Sequence, residues 1–561
     1  MTILKESSVP AQGQFPRIAS KQPASQGFLS LFVKGSWAVL TIAAILQLLL
    51  FWSYNNLVAT ACIVVAWALV SVTLLKKSVL NRFPLSTFLI LGYALTQFYL
   101  PLIATLLEKK PVVYNLEMAR EVFLHSMLAL LVLLGTHMIY RTKFPGAAEK
   151  GADVLSRIGF FKPPSHLQLW LVGWLGVAAT CYSFIFTRAG TEQTGSALDK
   201  LIQSLIPFTY APFFIPFGEL FGGERKFTRR QGTSLLIFTI VLFAVSIGRN
   251  SRGAFMFGFT SVGFAFCLGL LMEIIKTKLF TARNVLIGLL CFWLFTGPIS
   301  DLGTAMVVVR GKRSDVSSSE LIKMTLETYQ DKKALAEANS SIEKGEIDWD
   351  EDYLNNIFLA RFCNLKFNDA SLVDAAKLGH GNPEMRHFTT DRLWAMLPDP
   401  MLKLFNIEVN KTEINAMSFG DYLHYLAGAD TEAIGRFVTG HFSGTGMAAF
   451  GWWYLLILAI GMLPVYFICD VFFTRRFPFN KLKRKLAGSV SCFSFCGLLA
   501  LTSTFLFLPS ESVLVTGNLL IRGFLQMILL YFLVFKMSEM GANVITSFQP
   551  RIRASAARNE Q

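Results

Sequence analysis

The chain has 561 residues, 53% of them apolar and only 16% charged, with a formal net charge of +15. Soluble domains carry roughly 25% charged residues, so this composition excludes a water-soluble globular fold and points to a membrane-embedded one. The charge is also divided: residues 310–443 hold 15 Lys and Arg against 21 Asp and Glu, a net of −6, so the other 427 residues carry +21.

The first 33 residues are polar and contain Pro, Ser and Gln, which reads as a disordered tail. No short apolar core follows a brief basic start, so a signal peptide is not expected. A spanning helix needs about 20 predominantly apolar residues. About twelve such runs follow: 36–52, 55–75, 84–107, 120–140, 166–187, 198–221, 233–248, 253–275, 285–309, 446–473, 488–509 and 511–535. The expected fold is an all-α polytopic membrane protein. Spans one to nine occupy 34–309, one large helical loop occupies 310–443, spans ten to twelve occupy 444–536, and 537–561 is a tail. Seven of the eight cysteines lie in apolar runs and Cys363 is alone in the insert. They read as packing residues, with neither a disulfide framework nor metal-ligand spacing.

Lysine and arginine set the orientation, because basic loops stay on the cytoplasmic side. Basic clusters follow the second span (Lys76, Lys77, Arg82), the fourth (Arg141, Lys143), the sixth (Arg225, Arg229, Arg230), the eighth (Lys276, Lys278) and the tenth (Arg475, Arg476, Lys481). Both termini are therefore expected in the cytoplasm and the 310–443 insert outside. The sixth run contains Pro207, Pro212 and Pro216 and must be kinked or broken.

The outer face is where chemistry is expected. After the short seventh run the chain turns through Gly248-Arg249-Asn250-Ser251-Arg252-Gly253. Arg249 and Arg252 are on the wrong side to act as topology signals. Their planar forks suit phosphate oxygens, whether of ordinary lipid headgroups or of a lipid-linked pyrophosphate. Arg310 and Arg313 repeat the pattern at the mouth of the ninth run. Asp301 and Arg522 are ionisable residues within apolar runs, at depths that permit a mutual pair.

Within the insert, Ser317-Ser-Ser-Glu320 has capping-box spacing before a helical pattern that stops near Lys344-Gly345. A second amphipathic helix is expected from about Asp350 to Leu365, with Arg361 beside its apolar face. The chain then becomes irregular at Gly379-His380-Gly381-Asn382-Pro383 and 397–400. These pieces read as helices lying over a cavity that faces the membrane. His441 re-enters the membrane bracketed by Gly440, Gly444, Gly446 and Gly451, which allow close backbone approach to a ligand or another helix. Glu511 lies at the same level in the last outer turn. A His or Glu near arginines is what proton removal from a sugar hydroxyl requires. No nucleotide-binding loop, HExxH or GxSxG occurs.

Ser251-Arg252-Gly253 at the start of a span, Ala449-Phe450-Gly451 with Gly461 after a large late loop, and the span layout resemble the bacterial Wzy-type polysaccharide polymerases and the related O-antigen ligases. The resemblance implies a C-type glycosyltransferase fold in the inner membrane. It implies a donor of oligosaccharide on undecaprenyl pyrophosphate, a chain-length regulator as partner, and no cofactor, essential metal or nucleic acid. Arg249, Arg252, Arg310, Arg313 and Arg361 would hold the substrate; His441 or Glu511, with His380 third, would orient or deprotonate the acceptor hydroxyl. A secondary transporter or lipid-linked-sugar flippase is the alternative, although no internal repeat is visible.

Overall fold

The computed structural model describes residues 27–186, 201–223, 227–248, 252–276, 281–309, 318–333, 335, 349–397, 399–476, 490–499 and 510–559. Among these, nine helices are long and apolar enough to cross a membrane: Phe28–Leu50, Tyr54–Thr73, Pro84–Leu107, Ala119–Lys143, Leu201–Phe221, Arg229–Ile247, Ala282–Met306, Phe442–Asp470 and Val515–Ser547. The chain is a polytopic helical membrane protein. Its lipid-facing helices satisfy their backbone polar groups internally, as hydrocarbon requires. Some of the polar side chains inside bridge spans. Gln47 donates to the Thr105 hydroxyl (3.0 Å) and accepts from Asn56 (3.3 Å), which ties the first three spans together.

The loops sort into two sets by their contacts. Those at 76–83, 145–149, 273 and 475 meet one another, through Lys77–Glu273, Arg82–Glu149 and the Arg475 bond to the Asn81 carbonyl. Those at 108–118 meet the insert instead.

Three expectations are corrected. The start of the eleventh run is a strand: Val490–Phe493 pairs antiparallel with Phe473–Arg476, Phe473 opposite Phe493. Aromatic and β-branched residues at both positions suit a half-buried ribbon better than a helix end. The helix expected over 350–365 is not formed. Residues 349–356 form an irregular stretch instead, in which Glu108 accepts the backbone N–H groups of Asn355 (2.8 Å) and Asn356 (2.9 Å). Only Ile357–Ala360 is helical before a longer helix, Leu365–Leu378. Arg522 lies seven residues into its span, about 10 Å along the axis. The ninth run also breaks at Gly297, and Thr296 accepts a bond from Asn356 of the insert (2.8 Å). Asp301 is therefore close to the insert, and it forms no ion pair with Arg522. The proline-rich sixth run is a tight helix, Ile206–Phe221, broken at Phe217. The last helix continues to Asn559, through most of the expected tail.

The insert does not lie over the bundle; it is built into it. Proline 101 explains one joint. Leu95–Tyr99 is a π turn in which Leu100 N–H bonds Leu95, and Pro101 has no N–H for the Thr96 carbonyl. That carbonyl accepts instead from Asn364 at the start of Leu365–Leu378 (3.1 Å). Asp369, on the same helix, accepts from Glu117 N (3.1 Å) and Met118 N (2.8 Å), capping the span Ala119–Lys143. Lys366 sits beside it (3.2 Å). A Cβ on Gly444 would lie 2.2 Å from the Ser371 carbonyl, so the helix Phe442–Phe450 touches Leu365–Leu378 backbone to backbone. Gly444 thus serves a helix contact, as Gly440 does against the backbone of Gly420, whereas Gly451 has open space around it. At the other end of Phe442–Phe450, Gly381 N, Asn382 N and Arg386 Nε take the carbonyls of Met447, Ala448 and Ala449.

Two substitutions test this joint. Gly444→Ala is expected to destabilise the protein by about 1–3 kcal/mol through overpacking, whereas Gly288→Ala, with open space around it, leaves the melting temperature in detergent unchanged. Asp369→Ala leaves the Glu117 and Met118 N–H groups without their acceptor, while Lys366 keeps Asp350 (2.9 Å) and the Asn115 carbonyl (2.6 Å), and is expected to cost about 1–3 kcal/mol. Unchanged melting of both Gly444→Ala and Asp369→Ala would contradict the docked insert.

Candidate functional site

Of the residues expected to hold substrate, Arg249, Arg310 and Arg313 lie outside the described residues, as does the side chain of Arg252, whose backbone opens the helix Arg252–Leu271. Arg361 is exposed in the turn after Ile357–Ala360. His380 is exposed in the 379–383 loop, near enough to His125 to act on it electrostatically. Neither Arg361 nor His380 lines the cavity that Glu511 enters.

His441 is in the core, 4% exposed. Its backbone N–H donates to Ser371 Oγ (2.8 Å), its Nδ1 accepts from Ser443 N (3.3 Å), and its Nε2 lies 3.0 Å from the Gln97 amide. The Gln97 group facing the ring is its amide nitrogen, and its amide oxygen accepts from Ser126 Oγ (3.5 Å). Burial, with His125 adding to it, pushes the ring down to about 3, so it stays neutral. Both nitrogens are used inside the protein. His441 acts as an N-cap and a joint between elements.

Glu511 is different. It follows Ser510, whose carbonyl accepts from Phe442 N (2.9 Å), and its own carbonyl accepts from Thr445 Oγ1 (2.6 Å). The 510–514 turn is thereby pinned to the helix that His441 caps. The Glu511 carboxylate looks into a cavity of about 1150 Å³ between the 392–415 part of the insert and the last span. Burial raises its carboxyl to about 7, and the Asp421 carboxylate pushes the same way. The Arg392 guanidinium and the Phe419 N–H (3.4 Å) oppose that rise. Asp421 itself is consumed in structure, accepting from four backbone N–H groups, at Ser418, Gly435, Phe437 and Val438.

Three cations share the cavity. Arg392 ends the helix Pro383–Trp394, which Asn382 caps through Glu384 N and Met385 N with Pro383 at its first position. It donates to the Ile414 (2.8 Å) and Met417 carbonyls and stacks over Phe419, 5.0 Å from the ring centroid. Burial holds this guanidinium below its usual range, while Glu511 and Asp421 act to raise it. Lys411 bonds the Leu397 carbonyl (2.6 Å) and pairs with Asp399 (2.5 Å). Arg522 projects from a π turn, Leu519–Gly523, and its Nε bonds Gln526 (3.1 Å); among the described residues it makes no ion pair. A π turn re-aims side chains and recurs at functional sites.

Below these charges the wall becomes apolar. Leu525 and Leu529 line the cavity and are 63% and 62% exposed, so it opens sideways along the lipid-facing side of the last span. Glu511 and Arg522 were legible beforehand as an outer carboxylate and an intramembrane charge. Arg392 and Lys411 were not singled out; the Asn382-Pro383 cap was the available signal that a helix starts there and carries Arg392 to its end. No family model, curated protein or solved structure matches the chain.

The carboxyl can be titrated directly. An infrared titration should show a band with a midpoint near pH 7 that is missing in Glu511→Gln. In Arg392→Met the midpoint should move upward, because the cation that favours the carboxylate is gone. A midpoint in the ordinary carboxylate range, or a downward move in Arg392→Met, would contradict the cavity's electrostatics.

Proposed function

We propose that the protein polymerises lipid-linked oligosaccharide repeat units, as a C-type glycosyltransferase of twelve spans in a bacterial inner membrane. In this reading both termini are cytoplasmic, and the insert and cleft belong to the outer face. The observation that carries this reading is the cleft: a carboxyl poised near neutrality and three cations above an apolar wall open to lipid. A polyprenyl pyrophosphate has the same two-part character. An apolar cavity of about 370 Å³ adjoins the cleft at Gln526 and would suit part of a prenyl tail.

The reaction is transfer of the growing glycan. The acceptor hydroxyl of an incoming unit attacks the anomeric carbon of the donor, and the bond from that carbon to the pyrophosphate oxygen breaks. Glu511, ionised, takes the hydroxyl proton. The electron pair leaves on the pyrophosphate, whose added charge is stabilised by Arg522, with Arg392 and Lys411 behind it. His441 supports Glu511 through the shared backbone joint and is not the base. The energy comes from the donor's own pyrophosphate linkage.

Purified protein in detergent, given only synthetic lipid-linked repeat units, should build a ladder of longer glycans. Glu511→Gln should slow extension by about 10²–10⁴-fold. Extension should fall as pH drops through about 7, because the protonated carboxyl cannot accept the hydroxyl proton. Arg522→Ala should lower kcat/KM by about 10–100-fold, the equivalent of one charge-assisted hydrogen bond. If the wild type makes no ladder but carries the lipid-linked unit across sealed vesicles, the protein is a transporter and the polymerase reading fails.

A further inference from the structure

The insert bears a small apolar protrusion whose surface the folded chain leaves open. In the short helix Asp399–Leu404, Leu402 is buried and anchors the element, while Leu404 is 79% exposed, Phe405 56% and Met401 41%. The tip is rigid. Asn406 N–H bonds the Lys403 carbonyl (3.2 Å) and Ile407 N–H bonds the Leu402 carbonyl (2.9 Å), with Asn406 in the left-handed region at φ 54°. These are the two bonds of a Schellman closure, and asparagine tolerates its left-handed position. Leu404 and Phe405 are thus held at the outermost point of a fixed turn.

Its position and charge say what covers it. Pro400 and Met401 form one wall of the cleft, and Leu525 and Leu529 of the last span form the other. The exposed leucines of that span face lipid, so the protrusion continues a lipid-facing surface. From Pro400 to Ile407 there is no acidic residue, and Lys403 lies exposed between the apolar side chains. A short apolar tip with a lysine among its side chains buries the apolar groups in a membrane interface while the ammonium reaches lipid phosphates.

We propose that residues 400–407 are a membrane-dipping finger: Met401, Leu404 and Phe405 enter the leaflet at the insert end, and Lys403 engages headgroup phosphates. The finger then sets the mouth of the cleft at the level of the headgroups. The inference does not depend on the glycosyl-transfer reading and holds for any lipid-borne ligand of this cleft.

The test is a depth measurement on the full-length protein in phosphatidylethanolamine–phosphatidylglycerol vesicles. Nitroxide labels are placed at Phe405→Cys and, as a water-exposed control, at His387→Cys, with Cys267 and Cys291 replaced by alanine and the unsubstituted parent's signal subtracted. His387 is 78% exposed beside Asp391. Relaxation by oxygen, which concentrates in lipid, should dominate at 405, and relaxation by a water-soluble nickel chelate should dominate at 387. The ratio of the two at 405 should fall toward the control when the vesicle lipid is replaced by an amphipathic polymer belt. Equal ratios at both positions in vesicles would place the finger in water and overturn the proposal. Shielding of 405 from both reagents would overturn it too, because a second copy of the chain or another protein then covers the tip.

Discussion

The structure depends on how the helix Leu365–Leu378 is buried. It carries Lys366, Asn368, Asp369, Ser371 and Asp374 in buried positions, which hydrocarbon or a dry core tolerates only when each is paired. The pairings reach three different elements. Asp369 caps the span Ala119–Lys143, Asn368 bonds Ser126 (3.1 Å), Ser371 takes the His441 N–H, and Asp374 holds His424 (2.7 Å). The helix is therefore a polar key inside an apolar bundle. It fixes the entry of Phe442–Phe450, which fixes the 510–514 turn, which aims Glu511.

Above this key, burial and charge act in opposition on the cleft. Desolvation favours neutral Glu511, and Arg392 favours its ionised form; the result is a carboxyl near the middle of the physiological range. Arg392 cannot simply neutralise it, because the guanidinium is also spent on the Ile414 and Met417 carbonyls and on Phe419. Arg522 is held by a single bond to Gln526, which leaves the rest of its fork toward the cavity side of the last helix. The arrangement separates a proton acceptor from an anion holder within one opening.

The polytopic helical character and the break in the proline-rich sixth run were legible because hydropathy and missing N–H groups act locally. Glu511 and Arg522 were legible because a charge near an apolar run needs a reason. The helix Leu365–Leu378 was not, since its polar residues break the one-faced pattern that marks a surface helix; their partners lie more than 200 residues away for Asn115 and Ser126. His441 misled for the related reason that a histidine among glycines looks the same whether it meets a ligand or a neighbouring helix. Arg392 was one of 15 basic residues in a charged insert, and only the cap at Asn382 and the approach of residue 511 distinguish it.

The central claim is that a lipid-borne anion occupies the cleft with its tail along the last span. A benzophenone amino acid at Leu525, in protein reconstituted with radiolabelled undecaprenyl-pyrophosphate-linked oligosaccharide, measures this most directly. The account predicts a covalent adduct that excess unlabelled polyprenyl pyrophosphate suppresses, and that Arg522→Ala weakens. The same group at Ile42, equally lipid-facing on the first span, should give only adduct that the competitor does not suppress. Equal, uncompeted labelling at both positions would contradict the account.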